Sequence, residues 1–132
     1  MPKDTRGFSL IELMIVVAVV AILAAIAYPN YINHVKTTRR AEIVTLLTQG
    51  AQSLERQYSQ SGSYATLTTP DPVGNAYYNI VATRSATAFT LTASPITGTL
   101  MVGDMCGNFI LTNTGARSNS NNTATTVTCW GR

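Results

Sequence analysis

A single carboxylate stands inside the most apolar stretch of this chain. From Phe8 to Ala27 only Ser9 and Glu12 interrupt a run of 20 residues. A carboxylate in such a run costs about 2 to 3 kcal/mol in hydrocarbon when central, and less near an end. An ionisable group kept there points to a function and to a partner. The segment Met1 to Gly7 is short, polar and ends in glycine, a geometry suited to cleavage, and its removal leaves Phe8 with a free ammonium. Glu12 lies four residues further on, one helical turn away. Pairing the two charges, within a chain or between neighbours, offsets both penalties and fixes the axial register of adjacent helices.

Other residue types with chemical potential are few. Cys106 and Cys129 have no Cys-x-x-Cys or Cys/His company that could complete a zinc site. A single disulfide is their simplest use, two buried thiols the alternative. The bridge would enclose 22 residues and stabilise by roughly 3 kcal/mol in the chain-entropy model. It requires an oxidising compartment, which places the C-terminal part in the periplasm or outside the cell. The one histidine, His34, sits beside Lys36 with no carboxylate or nucleophile pattern nearby and reads as a surface or membrane-interface residue. There is no G-x-S-x-G, H-E-x-x-H or phosphate-binding glycine motif. Aspartate is confined to Asp4, Asp71 and Asp104, too sparse for a hard-cation site. No enzyme, metal or cofactor is expected.

These residues must be positioned by a small set of elements. The chain has 132 residues, room for one compact domain, with 45% apolar and only 11% charged types against roughly 25% charged in ordinary soluble domains. At about 1.5 Å per residue the apolar run covers about 30 Å, one hydrocarbon core. It reads as a membrane anchor, as a secretory signal cut after Ala25-Ile26-Ala27, or as a core helix. Beyond it Val44, Leu47, Ala51, Leu54 and Tyr58 form one apolar stripe at helical spacing, predicting a helix from Phe8 to Gln57. Pro29 is expected to kink or melt a turn, and Ser59 to Ser63, with Gly62 as a left-handed cap, to stop the helix. The period then changes to 2. Tyr78, Ile80 and Ala82 mark one strand, Phe89, Leu91 and Ala93 a second, Asn108 to Thr112 a third and Thr125 to Trp130 a fourth. Ser118 to Thr126 has eight Ser, Asn or Thr residues among nine and reads as a solvated hairpin tip. The fold class is α+β: a long N-terminal helix on a small antiparallel sheet of about four strands.

The stretch Gly7-Phe8-Ser9-Leu10-Ile11-Glu12, then the apolar run and Tyr28-Pro29-Asn30-Tyr31, resembles the class III signal of type IV pilins and pseudopilins. Glu55-Arg56-Gln57-Tyr58, Ser61-Gly62-Ser63-Tyr64, Phe89-Thr90-Leu91-Thr92-Ala93 and Cys129-Trp130 are similar to PilE-like minor pilins of Gram-negative type IVa pili. The resemblance implies the type IV pilin fold and three segments: a leader at 1–7, a transmembrane and filament-core helix at 8–28, and a head at 29–132 that includes the amphipathic half of the helix. It implies that a prepilin peptidase cuts between Gly7 and Phe8 and N-methylates Phe8, and that Glu12 and Pro29 serve assembly. Implied partners are other pilin subunits, the inner membrane and its assembly machinery. The implied location is the inner membrane with a periplasmic head, then an extracellular pilus. The function implied first is a structural minor pilin, serving adhesion, twitching motility or DNA uptake. The alternatives are a DNA-receptor pilin for natural transformation, a major pilin, or a type II secretion pseudopilin. For the DNA reading the candidate contacts are Arg84, Arg117 and Arg132, the only cations after Gln57, against Asp71 and Asp104. Stacking of exposed bases on Tyr77, Tyr78 or Trp130 would assist them.

Overall fold

The computed structural model of the chain describes residues 7–66 and 68–131. Helix α1 spans Leu10–Ser61. It opens on a side-chain cap: Ser9 Oγ accepts from the Glu12 amide at 3.2 Å, satisfying one of the orphan donors of the first turn. Ser9 is thus the cap, and Ser-x-x-Glu is the spacing of a capping box. Pro29 melts no turn, since the helix continues through it. The proline takes the i+4 donor from the Ala25 carbonyl, and one position on the Asn30 side-chain amide donates to the Ile26 carbonyl at 3.2 Å. Gly62 follows at φ 70°, a left-handed end that a residue without Cβ adopts at little cost.

The chain forms two compact units that divide between Val35 and Lys36. The first is helical and apolar, long and apolar enough to cross a membrane by length and composition, with none of that window buried. The second is the head. Its helical face is made by Ile43, Leu47, Gly50, Leu54 and Gln57, a stripe rotated from the expected one. Val44 and Ala51 are half-buried at its flank, and Tyr58 is 37% exposed. The rotation has two causes. Pro72 packs so closely on Gly50 that a Cβ there would lie 2.7 Å from it. Gln57 is drawn inward because its amide donates to the carbonyls of Ser63 and Thr66, tying the helix end to the following loop.

Four strands form an antiparallel meander in the order β1-β2-β3-β4: β1 Tyr78–Arg84, β2 Phe89–Pro95, β3 Asn108–Thr112 and β4 Arg117–Ser120. Ile80, Ala93 and Phe109 lie in register on the inner face, with Asn119 continuing the row. The first three strands follow the period-2 reading. The fourth corrects it: β4 is Arg-Ser-Asn-Ser, its last three residues within the stretch expected to be a solvated tip, and where Thr125 to Trp130 was expected as a strand, Thr126–Trp130 is a short helix α2. Thr125 caps α2 by accepting from the Thr128 amide, a use of threonine that competes with its strand preference. The disulfide Cys106–Cys129 holds α2 down. The core centres on Tyr78, Phe109, Leu91, Met101 and Trp130, with edge-on rings at 5.9 Å for Tyr78 and Phe109 and 5.4 Å for Phe109 and Trp130.

Candidate functional site

The N-terminal motif is presented rather than packed. Phe8 is 82% exposed, Gly7 and Glu12 are exposed, and a Cβ added to Gly7 would meet nothing within 4 Å. Residues 1–6, Lys3 and Arg6 among them, lie outside the described residues.

In the head, backbone and ion pairs sort the cations into committed and available groups. Arg40 makes a two-pronged pair with the buried Asp104, 2.9 Å and 2.6 Å, and Asp104 also accepts from the Cys106 amide at 3.2 Å. Burial opposes the Asp104 charge, but the Arg40 hydrogen bonds and the Cys106 amide outweigh it and hold the carboxyl below its ordinary range. Arg39 pairs with Glu42 at 3.0 Å and covers the Tyr77 ring at 4.4 Å. Arg84 is committed as well. Its side chain is only 5% exposed, pairs with Asp71, and donates to the Thr69 carbonyl at 3.3 Å and 3.2 Å. It pins the loop that follows α1 instead of reaching solvent.

Arg117 differs. It is exposed on the edge strand β4, and its guanidinium lies 5.5 Å from the centroid of the Trp130 ring. It shares a groove of about 340 Å³ with Ala51, Gln52, Phe89, Leu111 and Asn113, and with Glu55, whose carboxylate accepts from the Tyr64 hydroxyl at 2.9 Å. Arg56 is likewise exposed, on α1. Arg132 lies outside the described residues. Base stacking is not available where it was expected: Tyr78 is fully buried, Trp130 is 6% exposed, and Tyr77 lies beneath Arg39. No group of three or more potential metal ligands occurs among the described residues.

Sequence reasoning missed Asn119. It faces inward, and its amide donates to the carbonyls of Cys106 at 2.9 Å and Asn108 at 3.1 Å, while its own oxygen accepts the Trp130 indole N–H at 3.0 Å. Nothing in an Asn among Ser and Asn residues signals that role.

Residues 29–110, well over half of the chain, match a family profile described as "Type IV minor pilin ComP, DNA uptake sequence receptor". Residues 2–28 match the prokaryotic N-terminal methylation motif. Among solved structures, the chain is similar to a type IV pilin from Shewanella oneidensis, 29% identical over 74% of this chain and 99% of that one, with a TM-score of 0.57. It is also similar to the non-core minor pilin PilV of Neisseria meningitidis, 32% identical over 74% of this chain and 96% of that one, with a TM-score of 0.58. No curated protein matches the chain.

Proposed function

This chain belongs to the type IV minor pilin family ComP, and from that membership we propose that it is a pilus subunit whose head receives DNA. Membership makes it a filament subunit that is processed by prepilin peptidase and assembles with other pilins. The finer assignments are proposals: a leader ending at Gly7, a membrane segment from Phe8 to Tyr28 and a head from Pro29 onward. Residence is in the inner membrane with the head in the periplasm, followed by export into the pilus by the inner-membrane machinery. Glu12 neutralises a neighbour's Phe8 ammonium in the filament core.

The observation that carries the DNA reading is the match of the head to a family described as a DNA uptake sequence receptor. Arg117 supports it as an exposed cation with no carboxylate partner among the described residues, and Arg56 adds a second exposed charge. The groove that Arg117 lines also carries Thr48, Gln52, Thr112 and Asn113, hydroxyl and amide groups suited to phosphate and base edges. With Arg84 committed elsewhere, the DNA contact falls on the β4 end of the head.

The test is binding of labelled duplex DNA to the full mature chain in detergent, measured across salt concentration. Binding that weakens linearly in log–log form is expected, with a shallow slope set by one or two neutralised phosphates. Absence of binding at low salt would remove the DNA role and leave the minor pilin as a structural subunit.

A further inference from the structure

Resting on the DNA reading above, we propose that Trp130, seated by the Cys106–Cys129 disulfide, is the positioning residue that aims Arg117 at a DNA phosphate. The evidence is a closed circuit of contacts. Cys129 is bonded to Cys106 and adjoins Trp130 in the chain. The Trp130 indole N–H donates to Asn119 Oδ1 at 3.0 Å and to the Ser118 carbonyl at 3.3 Å. Asn119 returns the connection to Cys106 through its amide at 2.9 Å. The Arg117 guanidinium lies over the ring that this circuit fixes.

Each link has a physical reason. A five-residue helix such as α2 does not hold itself together in water, so the ring stays in place through the disulfide, the indole hydrogen bonds and the core contact with Phe109. A long, exposed arginine loses rotamer entropy when it binds a phosphate. A flat ring under the guanidinium removes part of that freedom beforehand, at an exposed site where cation–π attraction is modest. β4 has no apolar alternation to fix its side chains, and the indole N–H bonded to Ser118 beside Arg117 supplies the missing restraint. Preorganisation then comes from a residue that DNA itself does not touch.

Trp130 is the only tryptophan of the chain, so its emission reports directly on the site. Duplex DNA titrated into the full mature chain in detergent is expected to change that emission with the same midpoint as the anisotropy of labelled duplex, and Arg117→Ala is expected to abolish the change. In anisotropy, Arg117→Ala should lower the salt slope by about 1. Trp130→Leu, which keeps apolar volume but no ring face, should weaken binding about 2- to 5-fold, the range of an exposed cation–π contact. It should add nothing further in combination with Arg117→Ala. Trp130→Phe retains a ring and should recover part of the loss. Near-UV circular dichroism of the tyrosines checks the fold of each variant.

The outcomes are distinguishable. If the wild-type chain binds no duplex, the DNA reading itself fails. If it binds but Arg117→Ala binds equally well, the contact lies elsewhere and the positioning role falls with it. If Arg117→Ala weakens binding while a folded Trp130→Leu does not, Arg117 is a contact that needs no platform, and the proposal is overturned.

Discussion

Asp104 and Arg40 keep their charges inside the head because each supplies what burial withholds from the other. The carboxyl is held below its ordinary value and the guanidinium above its own, first by the Asp104 hydrogen bond. An unfolded aspartate titrates near 4. The stability contributed by the pair is therefore complete above about pH 4 and is lost as pH falls through the folded value. Asp104→Asn should cost about 3 kcal/mol at neutral pH, because it leaves the Arg40 charge without its partner. Denaturant midpoints of the two proteins between pH 7 and pH 3 should converge in acid; a constant gap would count against the linkage. Gly7 raises a different residue-scale question. A Cβ there meets open space, so Gly7→Val should leave folding intact and act only on the peptidase, which must fit the backbone at the scissile bond. Full-length precursor should accumulate in the membrane fraction, and normal maturation on a mass spectrum would remove the glycine from the processing signal.

At the scale of elements, Gly50 shows two opposed terms in one helix. Replacing it with alanine gains about 1 kcal/mol of helix propensity, but the new methyl would sit 2.7 Å from Pro72 Cβ. A proline ring cannot swing aside, so the loop must move, at roughly 1 to 3 kcal/mol for overpacking. Gly50→Ala should therefore destabilise the head by about 1 kcal/mol in thermal unfolding, and a rise in Tm would mean that the loop gives way freely. Pro72 also explains why the helical stripe was read one residue out. Periodicity registers apolar side chains, so it chose Val44, Ala51 and Tyr58 over Ile43, a glycine and Gln57, whose burial depends on what packs against them. The same limit hid β4. Strands β1 to β3 bury alternate large residues and were legible from Tyr78, Phe89 and Phe109. The polar β4 is held by its ladder and by Asn119, and α2 by a cap and a covalent bond, none of which leaves an apolar period. Of the site residues, Arg117 was legible as a cation, but the sequence held no sign that Arg84 would be taken by Asp71 and Thr69.

For the whole molecule the decisive feature is that the chain carries two kinds of apolar surface with different destinations. The head buries its own, from Ile43 to Trp130, whereas Leu10, Ile11, Leu13 and the residues after them stay exposed. That exposed surface needs lipid first and neighbouring helices afterwards, and lipid alone gives no reason for Glu12. If Glu12 only capped the helix or filled space, the near-isosteric Gln would serve, since Gln also suits the third position of a capping box and a neutral amide costs less in hydrocarbon than a carboxylate. If it neutralises the Phe8 ammonium of a neighbour, Gln leaves that charge buried without its partner, typically at about 3 to 5 kcal/mol. Glu12→Gln should therefore be cleaved and reside in the membrane as the wild type does, because neither step needs the pair, yet enter filaments poorly. The head should fold normally, since no core residue lies before Ile43. The measurement is the amount of each protein in sheared pili and in membranes, scaled to total protein. Equal incorporation would sink the charge-pair mechanism.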